Sequence, residues 1–491
     1  MKQSFIKDLA AYLPTQIVPA IVGIVSIPII TRLFPPEDYG NYVLVMATIG
    51  VLSTFTGWLS MSIVRFYPIY EKVRKLGQFY ANIIKLSIIS IGIISLVFLS
   101  TLLFAKAYIS KNLYFLMWIA IFVFAFTSFF NTILDFLRVK RQVTWYSGFI
   151  MWESITRIGF AILLIIVFNF GIIGLFWGSI LSLTIALPFL WKKGIGKVSL
   201  RSNISIPLTL EMARYSFPLI AGNLAAWILS LSDRFVLNFF RGSQEVGIYS
   251  ASYAISEKSI MLLGALFLLA SGPISINIWE NEGAEKSQEF VSKVTRYYLI
   301  ACFPAVIGLI ILASPLIRIL TAQEYYEGYK IIPLVSLGAF FLGLQQRFQA
   351  GPVFYKKTNF VMYSIIASGL MNLGLNFLLI PKYGYVAAAI TTLISYIFLL
   401  ILMIFFSRKL FIWQFPFKSL VKVAYASVVM GIVVYYVGNS LTSSNLLNLI
   451  LSIIIGVVVY LLTLFLLREF KPSEIQAVID LKNHIFAKRK L

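Results

Sequence analysis

Run after run of about twenty apolar residues, broken by short polar segments, limits what this chain can become. Each run is long enough to cross the ~30 Å hydrocarbon core of a bilayer as one helix. Fourteen can be marked: 10–31, 41–64, 80–104, 113–135, 145–168, 171–191, 213–240, 246–273, 294–317, 329–351, 359–380, 384–407, 419–438 and 446–467. Only 12% of the residues are charged, about half the ~25% of a soluble domain. Unbroken runs exclude a β-barrel, whose strands alternate over about ten residues. The expected fold is an all-α polytopic membrane protein with about 14 transmembrane helices. The start, MKQSFIKDLAAYLPTQIVPA, has no small-residue cleavage site, so the first run is read as a span and not as a removable signal. Two separations are very tight, Asn169-Phe170-Gly171 and Pro381-Lys382-Tyr383. Both are read as turns, because a single helix through either would far exceed a bilayer.

The net charge of +22 would suggest nucleic acid in a soluble protein. Here the cations sit in short breaks between spans, so no nucleic-acid partner is expected. With the N-terminus inside, the outer turns hold only Arg32, Lys106, Lys111, Arg241, Arg318, Lys330 and Lys382. Of the 41 Lys and Arg, 30 fall in the inner segments, which places both termini in the cytoplasm. The end of the chain, 468–491, is basic and amphipathic and is expected to lie on the anionic inner leaflet. There is one cysteine, Cys302, and one histidine, His484. That leaves no disulfide framework, no metal site and no cofactor motif. A phosphate-binding G-x-x-x-x-G-K-[ST] loop is also absent from the sequence, so any pumping draws on ion, voltage or substrate gradients.

The chain repeats itself. The first span carries Pro14 near its start and is followed by Glu37-Asp38-Tyr39-Gly40-Asn41-Tyr42. The seventh carries Pro218 and is followed by Glu245-Val246-Gly247-Ile248-Tyr249. Acidic residues suit a helix start, and the glycine is expected to permit a tight turn. Further echoes pair Lys140-Arg141 with Lys356-Lys357 and Phe170-Gly171 with Tyr383-Gly384. The two copies start on the same side of the membrane, so the repeat is parallel and a binding site is expected between its halves. The expected division is a six-helix bundle at 1–191, a cytoplasmic linker at 192–212, a second six-helix bundle at 213–407, two additional helices at 408–467 and the tail at 468–491.

These motifs carry a resemblance. Pro28-Ile29-Ile30-Thr31-Arg32-Leu33 with the Glu37–Tyr42 segment, and Asp233-Arg234-Phe235-Val236-Leu237 with Glu245–Ser250, resemble the polysaccharide transporter family of the multidrug/oligosaccharidyl-lipid/polysaccharide exporter superfamily. The resemblance covers 1–467. It implies two bundles around a central cavity, two extra C-terminal helices, and a flippase working by alternating access. The implied substrate is an oligosaccharide on a polyprenyl (pyro)phosphate, moved from the inner to the outer leaflet of a prokaryotic plasma membrane. Implied partners are that lipid-linked oligosaccharide, membrane lipids and glycan polymerase or ligase machinery, with the protein acting as a monomer.

Charges inside a bilayer are costly and usually face a cavity or one another. Span 7 has Asp233 and Arg234, and span 8 has Glu257 and Lys258. Sequence neighbours point about 100° apart on a helix, so pairs are expected between helices, Asp233–Lys258 or Arg234–Glu257. Span 5 has Glu153 and Arg157, at i and i+4 on one face. Arg65 ends span 2, and Arg347 joins Gln345, Gln346 and Gln349 in span 10. Asn131 and Asp135 hold the matching place in span 4. Arg234, Lys258, Asp233, Glu257, Arg157, Arg65 and Arg347 are the candidates for substrate contact, each weighed against a purely structural ion pair or anchor. Asp233, Glu257 and Glu153 are the candidates for ion coupling. Pro14, Pro19 and Pro28 suggest a bend in span 1 that changes between states. Trp58 and Trp227 could stack on sugar rings. Two alternatives stand beside the flippase: an ion-coupled multidrug exporter of the same superfamily, for which an acidic cavity would be expected, and a membrane polysaccharide polymerase or ligase, which needs a large catalytic outer loop that this sequence lacks.

Overall fold

The computed structural model describes residues 13–196, 203–438 and 445–470, together with 472, 474 and 476. Residues 1–12, part of the expected linker at 192–212 and most of the basic tail lie outside the described residues. Within the described residues, each of the fourteen apolar runs falls on helix. The first is α1 (Pro14–Leu33), and the second is shared by α2 (Pro36–Thr56) and α3 (Trp58–Lys72). Then come α4 (Leu76–Ala105), α5 (Lys111–Val139), α6 (Val143–Ile166), α7 (Ile173–Gly194), α8 (Ile206–Arg241) and α9 (Ser243–Glu282). The ninth run is α10 (Ala284–Ile311) with the short α11 (Ala313–Leu320). A 3-10 segment (Gln323–Ile331), α12 (Ile332–Phe348) and α13 (Ala350–Phe354) make the tenth. α14 (Asn359–Arg408) carries the eleventh and twelfth, and α15 (Phe417–Gly438) and α16 (Asn445–Leu466) carry the last two. Among the described residues, 12 stretches can each cross a membrane by length and composition, with α14 taken as one and α9 not counted. No strand occurs among the described residues.

The tight turns are glycine turns. Asn169 (φ 54°) and Gly171 (φ 58°) both adopt left-handed backbone between α6 and α7. In α14 the helix runs on through Pro381-Lys382-Tyr383, and the break falls on Gly384 (φ 58°, ψ −143°). The break is therefore one residue later than expected, because glycine alone enters that region without strain. Gly171 and Gly384, echoes in sequence, thus share a positive φ of 58°. Arg141 and Lys356, in the other echoed turn, likewise share φ 56°.

The motif glycines do something else. Gly40 and Gly247 both lie inside helices and make no turn. A Cβ on Gly40 would overlap the Ser243 carbonyl oxygen, and a Cβ on Gly247 would overlap the Pro36 carbonyl oxygen. The start of α2 and the start of α9 therefore touch backbone to backbone, each through the other's glycine. Tyr325 donates to the Phe34 carbonyl at 2.9 Å, and Arg32 Nη2 donates to the Ile319 carbonyl at 2.9 Å. Tyr39 meets Tyr325 edge to face. Together these seal the two halves of the chain at one end of the molecule. Glu245 adds a cap: its carboxylate accepts from the Tyr385 N–H at 3.0 Å, at the helix start that follows Gly384, and pairs with Arg241 at 2.8 Å.

The apolar cores follow the same order. One cluster runs from Trp58 to Met212, and a second from Leu229 to Met403. Two others draw on both stretches and lie behind the glycine contact, around Tyr249 and around Tyr325. α15 packs on α10 and α16 on α15, outside these cores. Arg296 of α10 ties the chain beyond α16 in place, through Glu469 at 2.7 Å and Glu474 at 2.6 Å.

A side chain at either motif glycine meets backbone that cannot yield, so Gly247→Val should cost about 1–3 kcal/mol or more in this closed arrangement. Asn41 is 1% exposed beside the contact. An Asn41→Cys thiol should resist a membrane-impermeant maleimide in the otherwise unaltered protein and react once Gly247→Val is added. Equal protection in both would show that the seal does not need the glycine.

Candidate functional site

Asp233 and Arg234 are adjacent in α8, and both are buried. They nevertheless pair with each other, Nη1 to Oδ1 at 2.8 Å, in place of the expected partners on other helices. The long guanidinium arm folds back along the helix, where it also donates to the Ser230 carbonyl at 2.7 Å. It lies over the rings of Tyr253 and Tyr249, at 4.6 and 5.3 Å. The other Asp233 oxygen accepts from the Tyr249 hydroxyl and, at 3.5 Å, from Thr392. Each charge is met by an opposite charge and by donors or rings from α9 and α14, as a buried pair requires.

The network continues outward. Tyr253 reaches Glu257 at 3.4 Å and Tyr396 at 3.3 Å. Near Thr392, Asn376 Nδ2 donates to Asn372 Oδ1 at 2.9 Å, and Thr391 donates to Asn376. All three of these side chains are buried. The Asn372 amide nitrogen has no partner among the described residues. These amides were missed from sequence. Their signal was two asparagines four residues apart in an apolar run, a spacing that puts both on one helix face.

Arg157 sits on α6, where Gly178 lets α7 close on the Arg157 carbonyl and the Ala161 amide. It pairs with Glu153 at 3.5 Å, and both side chains remain 28% exposed. Its Nε makes no hydrogen bond among the described residues. Lys258 reaches from α9 toward α1. Its ammonium lies where a Cβ of Gly23 would be, so the glycine makes room for it. No carboxylate pairs with Lys258 among the described residues. Arg157 and Lys258, from the two halves of the chain, lie within electrostatic reach of each other. Lys258 also lines a cavity of about 280 Å³ with Gln16 of α1 and Tyr298 and Gln346 of the second half, and no acidic side chain lines it. The cavity can therefore offer a cation and amides to an anionic or hydroxyl-rich ligand.

The remaining candidates lie elsewhere. Arg65 is exposed and 6.0 Å from the Tyr215 ring. Arg347 is buried at the far end of α12. Pro14 occupies the first turn of α1, where its missing N–H costs nothing, and the helix continues unbroken through Pro19 and Pro28. Trp58 is buried against Phe217, and Trp227 packs on Phe235, so both are engaged in helix contacts.

A family model described as "Polysaccharide biosynthesis protein" matches residues 5–279. The chain belongs to the polysaccharide biosynthesis protein family. It is 26% identical over 284 residues to the uncharacterized membrane protein MJ1068 of Methanocaldococcus jannaschii, covering 56% of this chain and 54% of that protein. It is 29% identical over 178 residues to the lipid II flippase MurJ of Thermosipho africanus, covering 35% of each. The chain thus spans about half, or less, of the curated relatives it matches. In solved structures it is similar to lipid II flippase MurJ in an inward closed conformation, with TM-score 0.73 and 19% identity over 94% of this chain and 99% of that one. It is also similar to an inward-facing multidrug resistance MATE family transporter, with TM-score 0.66 and 15% identity over 81% and 97%. These structural likenesses establish the fold: an all-helical membrane transporter fold shared by flippases and drug exporters.

Removing one member of the Asp233–Arg234 pair leaves a buried charge alone. Arg234→Met should therefore destabilise the protein by about 3–5 kcal/mol. Adding Asp233→Asn should recover much of that loss. Thermal unfolding in detergent compares the two, and an equally low Tm for both variants would contradict the pairing.

Proposed function

We propose that this member of the polysaccharide biosynthesis family is a flippase. It moves an oligosaccharide linked to a polyprenyl (pyro)phosphate from the inner to the outer leaflet by alternating access. The two six-helix bundles, 1–191 and 213–407, rock about the cavity between them. With both termini in the cytoplasm, the Gly40–Gly247 seal faces outward, and Lys258 lies roughly 16 Å below Gly247 by helix rise. Lys258 and Arg157 receive the phosphate, while Gln16 and Gln346 meet sugar hydroxyls. Arg65, at the inner end of span 2, guides the anionic headgroup in. Asp233 and Arg234 hold α8, α9 and α14 together, which leaves Glu257 and Glu153 as the better candidates for ion coupling. The chemistry is transport, with no bond made or broken.

The single observation that carries this reading is the make-up of the cavity: a cation without a paired carboxylate, two amides, a tyrosine and no acid. A multidrug exporter remains the second reading because the fold also matches such transporters. An exporter of cationic drugs would place an acid where this cavity places Lys258.

Deleting the gene should make one lipid-linked sugar accumulate on the inner leaflet, identified by lipid extraction and mass spectrometry. Restoring Lys258→Gln should recover at most a tenth of the export, since a charge-assisted hydrogen bond to phosphate is worth about 1.5–3 kcal/mol. An unchanged lipid-linked pool, with new drug sensitivity, would favour the exporter.

A further inference from the structure

Arg347 is 5% exposed, and neither its Nε nor its Nη2 has a hydrogen-bond partner among the described residues. No described carboxylate pairs with it. The Tyr298 ring lies 5.2 Å from the guanidinium carbon. Arginine does not lose its proton in proteins, so the charge persists. A buried charge without a partner costs several kcal/mol. Something must offset it.

The side chain lines a pocket of about 160 Å³ between α9, α10, α12 and α13. At ~30 Å³ per water this is room for about five waters, or for one phosphate or carboxylate group. Ser271, Ser275, Gln346 and Gln349 also line it, and no acid does. Gln349 is partly held by Gln345, its Nε2 donating to Gln345 Oε1 at 3.1 Å. All of these residues belong to the second half of the chain, so the pocket is apart from the cavity between the halves, although Gln346 borders both.

We propose that Arg347 and this pocket form an anion site for a single phosphoryl or carboxylate group. The group comes from a lipid headgroup or from a free anion, and it serves as the missing counter-ion of the second half. The guanidinium carries five N–H donors on a planar, permanently charged group, which suits the oxygens of such an anion. The serine hydroxyls and glutamine amides supply further donors. The site does not depend on which cargo the chain moves.

The test uses the purified full-length protein in detergent, heated with inorganic phosphate against chloride at matched ionic strength. Separate arms use dioctanoyl phosphatidic acid against dioctanoyl phosphatidylcholine. A ligand that binds only the folded state raises Tm as its concentration passes its Kd. A saturable rise with phosphate, or with phosphatidic acid, beyond its control is expected. A response to phosphatidic acid alone assigns the lipid source, and a response to phosphate assigns the free anion. Arg347→Met should abolish the rise. Gly272→Leu gives a second variant that keeps the arginine: Gly272 lines the pocket and a Cβ there meets nothing within 4 Å, so the added side chain is expected to occupy pocket space. It too should abolish the rise. No rise in the parent protein with either anion overturns the proposal, as does an equal rise in the parent and Gly272→Leu.

Discussion

The contact on which the rest depends is the backbone meeting of α2 and α9, where Gly40 lies against Ser243 and Gly247 against Pro36. Two helices that touch at their backbones leave no space for side chains between them, and small residues are what allow that approach in membranes. Because each half supplies one glycine, the seal is reciprocal. It brings the Arg32, Phe34 and Tyr39 region of the first half onto the Ile319–Tyr325 region of the second. Away from that end Gly23, without a side chain, leaves room for Lys258 between α1 and α9. Closure at one end and a polar cavity behind it are thus two consequences of one packing arrangement.

The buried charges divide by how well they are met. Asp233 and Arg234 are surrounded by Tyr249, Tyr253, Thr392 and the Ser230 carbonyl, and they make a rigid junction of three helices. Arg157 is half-met by Glu153. Lys258 and Arg347 make no ion pair among the described residues. In a low-dielectric interior an unmet cation is costly to keep. The two unmet cations sit on cavities, while the fully met pair sits in a packed core.

Sequence reading went furthest where a single local property decides the outcome. Helix position follows from hydropathy, so within the described residues all fourteen runs fall on helix. The repeat pointed to Gly171 and Gly384, which share a positive φ of 58°. It also singled out Gly40 and Gly247, but gave them a turn's role, because the partner that explains each glycine lies about 200 residues away. Asp233 and Arg234 were expected to seek other helices, because helix geometry separates neighbouring Cβ atoms. The arginine is long enough to fold back, which Cβ geometry does not reveal. Asn372 and Asn376 were passed over, since a buried amide looks like any polar residue in an apolar run until its neighbours are known. Arg347 was flagged for its glutamines. That it has no counter-ion is a property of the packing around it, and no residue pattern carries it.

Reconstitution tests the central claim most directly. Proteoliposomes holding the purified protein and a polyprenyl-pyrophosphate-linked oligosaccharide with a reducible fluorophore report flipping by loss of fluorescence to an impermeant reductant. Protein-free liposomes should protect the inner leaflet's share of the label, and proteoliposomes should expose all of it. Equal protection in both, with a cationic drug carried across instead, would contradict the assignment of the cavity to an anionic lipid-linked sugar.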